Sequence, residues 1–260
     1  MPALSPIVEG FLGSLGAGLM TAVGAVPILF VRKLKESTEH FMLAFAAGVM
    51  LAASFFSLIV PGVAAMEARG AHKATAAGVM AAAVLLGAAA IFLLNRRVAL
   101  SIGAVGPAGS KSDVARRLWL FVAAITLHNF PEGMAVGVSF GGGDVSAGLS
   151  TALGIGIQNL PEGLATATAL MALGYSRAIG FSGALASGLV EPIGGLLGVS
   201  LVAMVPVLLP VGLGFAGGAM IYVVAAEMIP ETQQRADGGR SIAAFMAGLV
   251  TMMFLDVALG

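Results

Sequence analysis

The chain contains no cysteine, which removes disulfides and thiolate metal sites from consideration. Charge is nearly as scarce: 10% of the residues are Asp, Glu, Lys or Arg, against about 25% in a soluble domain. Net charge is zero, so nucleic-acid binding has no electrostatic footing. Aromatic side chains are few, with one Trp and two Tyr, whereas 37 of the 260 residues are glycine. That balance suits helices packed closely through small side chains. With 58% hydrophobic residues and a mean hydropathy of +1.01, the composition is that of an all-α integral membrane protein.

A membrane span needs about twenty mainly apolar residues. Eight stretches qualify, at roughly 6–31, 41–65, 74–95, 118–140, 147–173, 178–203, 207–229 and 241–259. The sixth and seventh are divided only around Pro206 and Pro210. The first is not a cleavable signal, because its basic residues follow the apolar core instead of preceding it. Eleven of the thirteen Lys and Arg residues fall in the loops after odd-numbered spans; Arg69 and Lys73 are the exceptions. The positive-inside bias therefore predicts cytoplasmic odd-numbered loops and both termini outside, in a cell (inner) membrane protein. The whole of 1–260 reads as one transmembrane transporter domain, with a Gly/Ser/Pro-containing basic loop at about 96–117 expected to be flexible and cytoplasmic. The short Gly141-Gly142-Gly143-Asp144 link makes spans four and five an antiparallel hairpin.

No Lys or Arg lies inside any of the eight stretches, yet acids do. Glu132, Glu162 and Glu191 fall near mid-span, Glu227 towards a cytoplasmic end, and Asp256 towards an outer end. Three carboxylates at that depth cost roughly 8–10 kcal/mol on insertion scales unless protonated, hydrated or paired. No protein cation is present to pair with them. A bound or transported cation is the simplest countercharge.

Two near-copies of one hexapeptide hold most of these groups: His128-Asn129-Phe130-Pro131-Glu132-Gly133 and Gln158-Asn159-Leu160-Pro161-Glu162-Gly163. Four-residue spacing puts His128 and Glu132 on one helix face, and Gln158 and Glu162 likewise, with Asn129 and Asn159 at the edge of each face. Pro131, Pro161 and Pro192 each withhold a backbone donor, freeing the carbonyls of Leu127, Ile157 and Gly188. Three proline-broken helices carrying carboxylates resemble the interrupted helices of transporter binding sites. One imidazole, several carboxylates and amide oxygens suit a borderline to hard divalent cation: Zn2+, Fe2+, Mn2+ or Cd2+. A buried core histidine, or protonated glutamates bridging helices, would be the bland alternatives; the paired motif weighs against both.

The two hexapeptides in register resemble the signature of the ZIP (Zrt/Irt-like) divalent-metal transporters, and the Gln heading the second is most similar to the bacterial GufA-type branch. The likeness spans essentially the whole chain. It implies a bundle in which spans four and five hold a midplane metal site and spans 1–3 and 6–8 are inverted repeats around that hairpin. It implies metal-ligand roles for His128, Asn129, Glu132, Gln158, Asn159, Glu162 and Glu191, with the thioether of Met50 as a neighbour. It also implies a transport domain of spans one, four, five and six moving against a scaffold that mediates homodimers. The chain departs from some relatives in carrying Asn159 where they have Asp and a second metal, and Ala226 where they have His. It also lacks the His-rich cytoplasmic loop of many eukaryotic members.

The expected function is therefore uptake of a divalent metal, zinc foremost, across a lipid bilayer, with no enzymatic activity. Subsidiary metal contacts are expected at Glu227 and Glu231 near the cytoplasm and at Asp144 and Asp256 near the outer face. Two rival readings are an intramembrane metal-dependent hydrolase and a metal-selective channel. The first lacks HExxH and has fewer imidazoles than catalytic zinc usually takes. The second shares the site but not a moving domain.

Overall fold

A computed structural model describes residues 5–30, 36–105, 113–233 and 238–259. Every regular element among them is helical, with no strand. The helix α1 (Pro6–Ala25) continues after a one-residue jog as α2 (Pro27–Phe30). Then α3 (Glu36–Ala53) passes through a π-helical segment, Ser54–Ile59, into α4 (Val60–Ala68). The long rods α5 (Lys73–Val105), α6 (Asp113–Gly141) and α7 (Val145–Ala172) follow. Next come α8 (Arg177–Gly188) and α9 (Glu191–Met204), then a 3-10 turn at Pro206–Leu208 and α10 (Leu209–Val223). A second π-helical segment, Val224–Met228, leads into α11 (Ile229–Gln233), and α12 (Gly238–Leu259) closes the described chain.

Among the described residues, six stretches are long and apolar enough to cross a bilayer: Pro6–Phe30, His40–Ala68, Lys73–Arg97, Arg177–Met204, Pro206–Met228 and Gly239–Ala258. They coincide with the first three and last three stretches expected from sequence. The helices α6 and α7, at 29 and 28 residues, are also long enough, since about twenty suffice. They are not among the six by composition, because the polar hexapeptides dilute them.

Local chemistry explains where the rods start and stop. The Ser5 and Ser176 hydroxyls accept from the first turns of α1 and α8. Asp144 accepts from the backbone amides of Ser146 at 3.0 Å and Ala147 at 3.1 Å, capping α7. The link before it turns through Gly143 at φ +80°, a left-handed conformation that glycine adopts without steric cost. The expected loop at 96–117 is narrower than its sequence suggested: α5 stays helical to Val105 and α6 begins at Asp113. Residues 106–112, with Lys111, lie outside the described residues, as do Arg32, Lys33, Lys35 and Arg235.

Of the three prolines expected to break helices, only Pro192 accompanies a break. The helical ladder is interrupted by a turn at Leu189–Val190 and resumes at Glu191. By contrast, α6 and α7 run through Pro131 and Pro161. Close packing two residues further on is common to all three prolines, with Gly133 against Glu191, Gly163 against Thr21 and Gly194 against Phe130. Pro192 differs in standing in the first turn of α9, where the missing donor has no intrahelical role.

Glycine contacts of this backbone-to-backbone kind divide the molecule into two groups. In the first, Gly18 and Gly188 abut one another's carbonyls, Gly24 abuts Leu160, Gly194 abuts Phe130, and Gly137 abuts Gly195. These join α1, α6, α7, α8 and α9. In the second, Gly48 abuts Phe245, Gly248 abuts Phe45, Gly87 abuts Phe215, and Gly218 abuts Val84. These join α3 to α12 and α5 to α10. Across the boundary glycines meet only side chains of the other group: Gly154 meets Met252, Gly212 meets Val138, and Gly142 meets Leu209.

Candidate metal centre

The motif residues converge where α6 and α7 pass α1 and the break between α8 and α9. His128, Asn129 and Glu132 project from α6, and Gln158, Asn159 and Glu162 from α7; Glu191 opens α9. All seven are buried, none more than 3% exposed. Glu191 sits in the first turn of α9, where the positive end of the helix dipole favours an acid.

Each amide is oriented by a specific bond. Gln158 Nε2 donates to Glu132 Oε1 at 2.7 Å. Asn159 Nδ2 donates to Glu191 Oε1 at 2.6 Å and to the Ala17 carbonyl at 2.8 Å. Asn129 Nδ2 donates to Ser187 Oγ at 3.1 Å. Their carbonyl oxygens are left over: Asn129 Oδ1, Gln158 Oε1 and Asn159 Oδ1 are buried without a hydrogen-bond partner. So are Glu132 Oε2, Glu191 Oε2 and both oxygens of Glu162. Each such orphan costs about 1–3 kcal/mol if nothing satisfies it. Seven lone-pair oxygens thus lie in one buried region with no Lys or Arg of the described residues paired to them, the type of donor that could hold a divalent ion.

His128 faces out of this locus. Its Nε2 lies 2.9 Å from Glu227 Oε2, yet the pair lacks hydrogen-bond geometry. Asn95 donates its side-chain amide to the other Glu227 oxygen. Glu227 stands in the π-helical segment Val224–Met228, and its side chain is 24% exposed. A small cavity runs from Glu162 and His128 to Glu227, bounded by Leu43, Ile125 and Met228. Among the described residues no three His, Asp or Glu side chains close on a single point. The amides stand between the acids, so neutral oxygens must complete any coordination shell here.

Met50 is fully buried in the main apolar core, beside the α6–α7 hairpin. Asp256, on α12, accepts from Ser57 Oγ at 2.6 Å. Asp144 is exposed, and one of its oxygens is occupied by the α7 cap. The Glu231 side chain lies outside the described residues. Sequence reading missed Asn95, Ser57 and Ser187. Their signal is weak singly: an amide beside Arg96 and Arg97 reads as a membrane-edge residue, and serines in apolar helices are common.

Comparison with known proteins agrees with the geometry. The family profile described as "ZIP Zinc transporter" matches residues 108–256. The chain is 42% identical over 255 residues to "Zinc transporter GufA" of Myxococcus xanthus, covering 96% of this chain and 99% of that protein. It is 43% identical over 259 residues to "Zinc transporter ZIPB" of Bordetella bronchiseptica, covering 96% and 81%. It is 32% identical over 337 residues to "Zinc transporter ZIP11" of Homo sapiens, covering 98% of each.

Proposed function

The chain belongs to the ZIP zinc transporter family, a multi-pass membrane protein and not an enzyme, and from that premise we propose that it carries Zn2+ into the cytoplasm through the His128–Glu162 locus. The carrying observation is the set of seven buried, unpartnered oxygens on Asn129, Glu132, Gln158, Asn159, Glu162 and Glu191, with His128 and Glu227 leading out of it. Cd2+, Fe2+ and Mn2+ fit the same donors. Met50 supplies a soft neighbour, and Glu227, Glu231, Asp144 and Asp256 serve the two approaches. A homodimer in the inner membrane, with both termini outside, completes the arrangement.

On this reading α6 and α7 are the fourth and fifth of eight spans, and the spans flanking them form inverted repeats. Two observations support the repeat. Residues 10–59 recur in 180–229 at one constant offset of 170, pairing Gly18 with Gly188, Gly24 with Gly194, Phe45 with Phe215, Gly48 with Gly218, and Met50 with Met220. The glycine contacts interconvert under the same pairing. Gly24 on Leu160 becomes Gly194 on Phe130, Gly163 on Thr21 becomes Gly133 on Glu191, and Gly48 on Phe245 becomes Gly218 on Val84. Both π-helical segments also fall at equivalent places, 54–59 and 224–228.

An elevator-type motion is supported by the glycine division. The closest glycine-to-backbone approaches lie within each group, whereas the described glycines at the boundary meet side chains, a division that suits sliding of one group against the other. The metal-binding group would travel against α3, α5, α10 and α12. A channel would need no such division; saturation of flux with rising zinc separates the two. X-ray absorption of zinc-loaded protein tests the site itself. One imidazole with oxygen neighbours at about 2.0–2.2 Å is expected, and a shell lacking nitrogen refutes the assignment.

A further inference from the structure

The two hexapeptides are not in equivalent states, although their surroundings repeat. Gln158, heading the second, turns inward and donates to Glu132 of the first at 2.7 Å. His128, heading the first, turns outward to Glu227 at 2.9 Å, leaving both oxygens of Glu162 unpartnered. The repeat pairing assigns each of these groups a counterpart: His128 pairs with Gln158, Glu132 with Glu162, and Glu227 with Ser57. The seat that receives His128 has a counterpart as well. Glu227 is backed by Asn95 of α5, and Ser57 is backed by Asp256 of α12. Gly87 and Gly248 hold α5 and α12 in matching register, and Asn95 and Asp256 lie eight residues beyond them. Each seat thus combines one carboxylate with one neutral partner, although the acid sits on opposite helices of the pair.

Access is equally one-sided. The cavity is lined by Leu43, Ile125, His128, Glu162, Glu227 and Met228. The counterparts of these residues are Leu213, Ile155, Gln158, Glu132, Ser57 and Leu58. All six are buried, none above 6% exposure. The cavity residues are nearly as buried except at the seat itself: the Glu227 side chain is 24% exposed, whereas its counterpart Ser57 is 6% exposed.

We propose that the motif heads exchange roles between the two end states of transport: in the opposite-facing state Gln158 turns out onto the Ser57–Asp256 pair while His128 turns in onto Glu162. This rests on the transport reading above. It assigns Ser57 and Asp256 a positioning role, as the polar seat that stabilises the outward turn of Gln158 once Glu132 is released. The donors balance in both states. One head always donates to a motif glutamate, and the other lies against a scaffold carboxylate. The scaffold acids thereby register which way the site faces without either being part of its inner donor set.

The absence of cysteine makes the exchange directly testable. Ile125→Cys and Ile155→Cys, singly and together, are placed in liposomes and labelled with a membrane-impermeant thiol reagent from each face. Cys at 125 is expected to label from one face and Cys at 155 from the other. In the double variant, an adduct at 155 should slow labelling at 125 at least tenfold. Adding Ser57→Ala or Asp256→Ala to Ile155→Cys should slow its labelling about tenfold, as expected for losing a hydrogen bond to a charged group. The same changes in the Ile125→Cys background should leave its labelling as fast or faster, which also certifies folding. Labelling of both positions from one face overturns the exchange. So does an adduct at 155 that leaves 125 unaffected, or an unchanged rate at 155 after Ser57→Ala and Asp256→Ala. Zinc uptake by the unsubstituted protein is measured alongside, so failure of the transport reading is seen separately from failure of the exchange.

Discussion

Replacing Glu162 by Gln isolates the charge at the heart of the site. Glu162 is 2% exposed, and neither of its oxygens has a partner, so the substitution removes no existing contact and changes almost no volume. With zinc bound, however, it removes one partner of a buried ion pair, which costs about 3–5 kcal/mol. At 1.4 kcal/mol per tenfold, zinc affinity should fall by two to three orders of magnitude or more. Without zinc the sign reverses, since a carboxylate at mid-membrane is itself costly. The metal-free variant should therefore unfold at the same temperature as the parent or higher. Thermal unfolding in detergent reads both effects. At zinc one hundred times its dissociation constant the parent gains about 2.7 kcal/mol of stability, whereas a variant binding a hundredfold more weakly gains about 0.4 kcal/mol. A zinc-dependent shift in Glu162→Gln as large as the parent's would refute the placement of Glu162 among the ligands. A variant unfolded without metal would show instead that the carboxylate is structural.

Zinc affinity should fall as pH drops, because imidazole and carboxylate ligands bind metal only without their protons, so protons compete with the metal; a dissociation constant independent of pH contradicts the donor set. One zinc per chain should bind tightly and a second far more weakly, since Asn159 offers an oxygen but no charge; Asn159→Asp should tighten the second in calorimetry, and two equally tight ions in the unsubstituted protein would exclude this. Gly163→Ala drives a Cβ into the Thr21 carbonyl and should cost about 1–3 kcal/mol in denaturant unfolding. Gly16→Ala, facing open space on α1, should instead stabilise by up to about 1 kcal/mol; equal effects at the two positions would deny the seam.

Much of the site was legible because its chemistry is forbidden in lipid. A histidine, three amides and two glutamates on adjacent spans stand out against apolar surroundings, and the structure buries all of them near Glu191. The rest was hidden for identifiable reasons. Pro131 and Pro161 read as breaks because sequence shows the lost backbone bond but not the continuous helices α6 and α7 packed against α9 and α1. Glu227 read as a subsidiary contact at the cytoplasmic end, without its partners, because His128 and Asn95 lie 99 and 132 residues away in sequence. The π-helical segments leave no compositional mark. The constant offset pairing Gly48 with Gly218 and Met50 with Met220 is in the sequence, but small residues are so frequent that it gains meaning only once the contacts are seen to interconvert.

Uptake of labelled zinc by proteoliposomes containing the purified protein tests the central claim most directly. Flux should be present with zinc outside, saturate as zinc rises, and fall to the protein-free background in Glu162→Gln. Flux in that variant equal to the parent at both low and saturating zinc would contradict passage through the His128–Glu162 locus, and no flux above background in the parent would contradict transport itself.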